Sequence, residues 1–230
     1  MGLAVEVGYL ADLLGNDEEG AQAFREELAK INDYLASLGL APHHEPEKCD
    51  VFSCEMYGYS GIHYLRRVAA HLDLRGVLPS PGGEDASKDD VMEEYYKVAG
   101  REDQSGILGR LFRRAPRRRT FDHLLLHSDA EGYYLPRDFS SVLFPPEKFH
   151  IPGGMVGSSA RLFDECKRLA QALQVPLELD ADAEAVWEAT QSQGKGNVPW
   201  QRYGIESFVC LRLYRACERS LENQAAIVFC

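Results

Sequence analysis

A chain of 230 residues, 45% of them hydrophobic, can bury a substantial core, which excludes a disordered or fibrous protein. Its formal charge of −11 opposes non-specific binding to nucleic acid or anionic membrane and suits a basic partner. No apolar run approaches the ~20 residues that cross a bilayer, and "MGLAVEVGYLADLLGNDEEG" lacks a secretory signal's basic region and cleavage site.

Tyr9, Leu10, Leu13 and Leu14 predict a short helix. Ala21, Phe24, Leu28, Ile31, Leu35 and Leu38 then recur at spacings of three and four. They predict a long helix over 18–39, capped by Asn16 or Asp17 and closed near Gly39. The prolines and glycines of "APHHEPEKCDVFSCEMYGYSG" predict irregular chain. A second helix follows, with Ile62, Leu65, Val68 and Leu72 inward and Arg66, Arg67 and His71 largely outward. "LPSPGGEDASKDD" is an exposed loop by its breakers, and Val91, Tyr95 and Val98 predict a third helix. Residues 84–94 hold six acids, and six arginines fall between Arg110 and Arg119. Together they predict a charged surface insert at about 78–119.

"HLLLHS" and "GYYLP" flank "DAEG" and predict a hairpin with Gly132 left-handed, and "SVLF" a third strand. "IPGGMVGSS" leads into a helix striped by Leu162, Phe163, Cys166, Leu169, Ala170 and Leu173, with Ser158 or Ser159 as cap. "DADAEAVWEATQSQ" predicts another helix, capped by Asp180 or Asp182. The last helix runs from about Trp200 to Leu221, and "AAIVF" is a short strand able to join the sheet. The expected fold is α+β: one globular domain over 1–230, helix-dominated, packed on a small, mainly antiparallel sheet.

Six cysteines are scattered, with Cys166, Cys210 and Cys217 on expected helices, which fits a reducing cytosol better than a disulfide framework. Cys49, Cys54, His43, His44 and His63 fall within 21 residues and have zinc-ligand chemistry. Their spacing matches no finger or ribbon, so zinc is the alternative to buried thiols and solvated imidazoles. His127 and Asp129 with Tyr133 or Tyr134 have the chemistry of an acid–base unit for a hydrolase or transferase. The same residues also make an ordinary turn and a covered sheet face, because no motif requires their spacing. "GGMVGSS" lacks the lysine of a P-loop and the spacing of a dinucleotide fingerprint, so helix capping accounts for it. Arg110–Arg119 offers phosphate contacts, against an acidic whole and without interleaved aromatics for base stacking.

No catalytic motif stands out. The expectation is therefore a soluble cytosolic protein that binds another protein, in the form of a bacterial immunity protein holding a toxin inactive. Tyr133, Tyr134, Asp129 and Asp138 are the expected contacts to a basic partner. An enzyme built on His127, Asp129, Tyr133 and Tyr134 is the first alternative, and nucleic-acid binding through Arg110–Arg119 the second.

Overall fold

Val5 and Val7 point to one side of an extended segment and Glu6 to the other, and this alternation forms the first strand, β1 (Ala4–Val7). The computed structural model describes residues 3–56, 58–82, 86–103, 119–128 and 130–229. After β1 come α1 (Tyr9–Asn16), α2 (Glu18–Ser37), β2 (Phe52–Glu55), α3 (Gly58–Arg75), α4 (Asp90–Asp103) and the one-turn α5 (Asp122–Leu125). Then follow β3 (Tyr133–Leu135), β4 (Val156–Ser158), α6 (Ser159–Leu173), α7 (Glu184–Gln191), α8 (Pro199–Arg202), α9 (Gly204–Asn223) and β5 (Ile227–Phe229).

The strands lie in the order β2-β1-β5-β3-β4. Every pair is antiparallel except β3 with β4, so the sheet is mixed and the α+β class holds. "AAIVF" supplies its centre, where Val228 sits opposite Glu6 on one side and Tyr133 on the other. One sheet face, through Tyr133, Leu135, Val156 and Val228, packs on Leu10, Phe24, Leu28 and Ile31 of α1 and α2. The other, through Val5, Val7, Tyr134, Ile227 and Phe229, packs on α3, α6 and α9. Leu162, Leu169 and Leu173 of α6 are fully buried there, each stabilising the fold by about 1.5–3 kcal/mol.

Helices α2 and α6 begin where the sequence marks them, whereas the last helix, expected from about Trp200 to Leu221, starts at Gly204 after the separate turn α8 and runs to Asn223. Asp17 caps α2 by accepting from the Gly20 N–H at 3.0 Å, and Gly39 turns the chain away at φ 71°. Ser158 caps α6 by accepting from the Arg161 N–H at 3.1 Å. Neither Asp180 nor Asp182 caps α7, whose N-cap is Ala183; Asp180 instead accepts from the Asp182 N–H in a turn at 2.9 Å.

Around residue 123 the structure corrects the sequence. "HLLLHS" is not the first arm of a hairpin: its first three residues complete α5, and β3 pairs with β4 and β5 instead. The cause is tertiary: the buried Glu165 carboxyl of α6 accepts from the His123 N–H at 3.0 Å and the Leu124 N–H at 2.8 Å. These helix-terminal donors find no partner within their own turn. Gly132 does adopt the left-handed region, at φ 94°, but as the lead-in to β3. "SVLF" forms only a bridge from Leu143 to Val156. Arg66 and Arg67 are buried rather than outward, because main-chain carbonyls of Leu124, Ser80 and Gly82 receive their guanidinium groups at 2.8 Å. Strands β1, β2 and β4 lie where no strand was expected.

In the charged region α4 seats Met92 and Tyr95 in the core, and Asp89, Glu93 and Glu94 are engaged by His71, Lys97 and Arg75. Arg119 pairs with Asp122 at 2.9 Å and lies over the Tyr95 ring. The rest of the arginine block, 110–118, is outside the described residues. Among the described residues no helix is long and apolar enough to cross a membrane.

Candidate functional site

Two polar regions are candidates, one inside the molecule and one on its surface. The inner one holds His127, His123, Tyr134, Arg66 and Glu165 between the sheet and α3 and α6. The His127 ring stacks on Tyr134 at 3.9 Å, and its two nitrogens lie 3.1 Å from the carbonyl oxygens of Ser128 and Tyr133. Burial pushes its pKa down to about 4, so at neutral pH the ring carries one proton and donates to one of those carbonyls. His123 accepts from the Ser158 N–H at 3.0 Å, and burial pushes it down to about 4 as well. Burial raises the Tyr134 phenol and the Glu165 carboxyl well above their ordinary values. The Tyr134 hydroxyl donates to the His123 carbonyl at 2.8 Å.

Alternation along β3 sends the neighbouring Tyr133 to the opposite sheet face, where its hydroxyl donates to Glu27 and its ring lies against Phe24. Thus His127 and Tyr134 meet, Tyr133 does not join them, and Asp129 is outside the described residues. Asp138 is exposed and paired with Arg161 at 2.5 Å. Both tyrosines are buried, at 3% and 2% exposure, so neither ring offers an outer contact surface as the chain stands.

The residues of the expected zinc alternative are dispersed. His43 is buried on the α2 side of the sheet, 2.6 Å from Glu45, with its main chain held by Asn32. Cys54 lies in the core on the other face, its thiol pushed up to about 11 chiefly by burial. Cys49 and His63 are half-buried. Among the described residues no three His, Cys, Asp or Glu side chains are arranged to hold a metal ion.

The surface candidate is residues 178–188, "ELDADAEAVWE", with five acids and no lysine or arginine. Glu178, Asp180, Asp182, Glu184 and Glu188 are all exposed. Among the described residues Glu178, Glu184 and Glu188 have no ion-pair partner. The segment is held in place by α9. Gly204 opens that helix so close to α7 that a side chain there would stand 2.0 Å from the Ala189 carbonyl oxygen. Val186 and Ala189 are buried by this contact, while Trp187, off that apolar stripe, stays 52% exposed with its ring edge-on to Phe208 at 6.3 Å.

Between α7, α9, the end of β2 and the start of α3 lies an open groove of about 610 Å³. Met56 and Phe208 supply apolar surface, and Glu55, Asp182, Trp187 and Arg212 complete it. Arg212 is gripped by both Asp182 oxygens and lies 5.0 Å over the Phe208 ring. Sequence reasoning placed the α7 helix but missed this site. Two signals were available: acids at every second position from 178 to 184, and a tryptophan outside the apolar spacing.

A second acidic surface follows α2, where Glu18, Glu19, Glu26 and Asp33 are exposed. Its N-terminal acids are accounted for by the positive end of the helix, and Lys30 interrupts it.

No curated protein and no solved structure matches the chain. A family model does, over residues 1–229, under the description "Putative DNA-mimic protein". That description overturns the expected immunity role, because a DNA mimic offers its acidic surface to proteins that bind DNA rather than holding a toxin inactive. With all but the last residue matched, the chain belongs to this DNA-mimic family.

Proposed function

We propose that the protein occupies the nucleic-acid surface of a DNA-binding protein, its carboxylates standing where phosphates would, and so competes with DNA. The observation that carries this reading is the 178–188 surface: a run of exposed acids without a base, three of them without an ion-pair partner among the described residues. Duplex DNA presents one negative charge per about 1.7 Å of axis, and DNA-binding surfaces meet it with lysine and arginine. Glu184 and Glu188, one helical turn apart, are separated by about 6 Å along the α7 axis, close to two phosphate steps along one strand. The overall charge of −11 adds long-range attraction for a basic surface.

The setting proposed is the cytosol. The cysteines at 49, 54, 166, 210 and 217 are free thiols, which a reducing compartment preserves.

The test is elution by competition. The immobilised full chain is loaded with nuclease-treated lysate of the source cells, then washed with duplex DNA or with polyglutamate at equal charge. The expected result is a DNA-binding protein released by duplex and not by polyglutamate, and, once purified, displaced from its own DNA by this chain. Retention of nothing that DNA releases would overturn the proposal.

A further inference from the structure

We infer that the groove beside Trp187 seats an arginine side chain of the partner; this rests on the DNA-mimic reading and names the contact within it. The groove already contains a worked case of the chemistry. Arg212 lies there with its guanidinium forked onto Asp182 and its plane over the Phe208 ring at 5.0 Å. Carboxylate on the edge and aromatic ring on the face is the arrangement that suits a guanidinium better than an ammonium.

The open part of the groove repeats those two elements. Trp187, 52% exposed, supplies a ring face. Glu55 at the end of β2 is exposed and, among the described residues, without an ion-pair partner. Glu184, three residues before Trp187 on the same helix face, places an exposed carboxylate beside the groove, outside its lining. The volume of about 610 Å³ holds a long side chain with part of its backbone. Charge complementarity selects the occupant: Arg212, the one base in the described lining, is committed to Asp182, Glu55 faces the groove without an ion-pair partner among the described residues, and the other exposed acids of 178–188 continue beside it. The partner surface proposed above is rich in arginine and lysine. An apolar peptide would leave Glu55 facing it without compensation. A second copy of this chain would bring like charge to like.

The experiment uses the full chain and two probes, tetra-arginine amide and tetra-lysine amide. The chain has two tryptophans, and Trp200→Phe assigns their indole N–H signals in ¹⁵N–¹H spectra. The expected result is a saturable shift of the Trp187 indole signal, with arginine binding at least about threefold tighter than lysine. Glu55→Gln weakens arginine by a similar factor, and Trp187→Ala abolishes the preference for arginine. Trp187→Phe keeps a ring against Phe208 and retains part of that preference, which guards against a folding artefact.

A Trp187 signal that stays still while others move would overturn the inference. So would equal affinity for both probes, or a shift that follows protein concentration alone. The two proposals fail separately. If Glu55→Gln and Trp187→Phe leave the DNA-elutable partner bound at full affinity, the groove assignment falls and the function stands. If tetra-arginine seats at Trp187 but no partner elutes with DNA, the function falls and the groove assignment stands.

Discussion

The inner cluster around His127 and the surface around Trp187 both hold polar side chains beside aromatic rings, yet they are opposites in availability. Inside, Glu165, Arg66, His123, His127 and Tyr134 direct their polar atoms to main-chain groups of the 123–133 segment or of Ser158. On the surface, Glu178, Glu184 and Glu188 point away from any such demand. An irregular buried segment must have its N–H and C=O groups satisfied by side chains, because no regular ladder does so. Polar residues that look catalytic in sequence are absorbed by that need, and the carboxylates outside are the ones left free for the proposed partner.

The largest loss of stability is expected at Glu165. Replacing it with alanine strands the His123 and Leu124 N–H groups in the core and leaves a small void, for an expected loss of about 3–5 kcal/mol of stability. Denaturant unfolding measures it. A loss below about 1 kcal/mol would mean that Glu165 does not hold α5 in place.

Protonation of the cluster gives the next effect. His127 binds its proton at about 4 in the fold against an ordinary value of 6.5, so between those pH values the unfolded chain carries a proton that the folded chain does not. Stability therefore falls as pH drops from 6.5 toward 4, by up to about 1.4 kcal/mol per unit for this ring, and His123 acts in the same direction. Glu165, raised by burial, acts the other way, its contribution being lost as pH rises above its ordinary 4.5. The informative quantity is thus a difference. His127→Gln is expected to flatten the acid limb by about one proton relative to the unmodified chain, read from unfolding free energies across that window. An unchanged slope would show that the ring is open to solvent protons.

Gly157 of β4 probes how closely the cluster is packed. A side chain there would meet the Tyr134 ring at 2.3 Å and His127 at 3.0 Å, and the stacked, buried rings have nowhere to retreat. Gly157→Ala is expected to destabilise by about 1–3 kcal/mol, with a shifted Tyr134 environment in aromatic NMR signals.

These same residues mark where the sequence stops being readable. Helices α2, α6 and α9 were legible because their apolar residues repeat over several turns and their ends carry Asp17, Gly39 and Ser158. Strands of three or four residues, such as β1, β2 and β4, offer too short a pattern, and the glycines of "GGMVGSS" hid β4 inside an expected turn. "HLLLHS" is ambiguous by composition, since three leucines in a row suit a buried strand or a helix turn. Its outcome is set by Glu165, more than forty residues away. The outward reading of Arg66 and Arg67 failed for the same reason, because the carbonyls they serve come from other segments. The acid-rich 178–188 stretch differs. Its charges need no distant partner, so its acidic character is legible in the sequence alone, beneath the helix periodicity that shares the segment.

The smallest effect on stability is expected where the effect on binding is largest. Glu184→Gln with Glu188→Gln removes two exposed carboxylates from α7, and the change in unfolding free energy should stay within about 1 kcal/mol. What remains of it comes from Glu184, which lies in the first turn, where the helix end favours negative charge. Partner affinity, in contrast, should fall at low salt, and the dependence of affinity on salt should become shallower. The unmodified complex should itself be less salt-dependent than the partner's complex with DNA, because a folded protein lacks the condensed counterions that a duplex releases. If the double substitution leaves both affinity and salt dependence unchanged while stability is also unchanged, the 178–188 surface is only solvated charge. The DNA-like face would then have to be sought along α2, at Glu18, Glu19, Glu26 and Asp33.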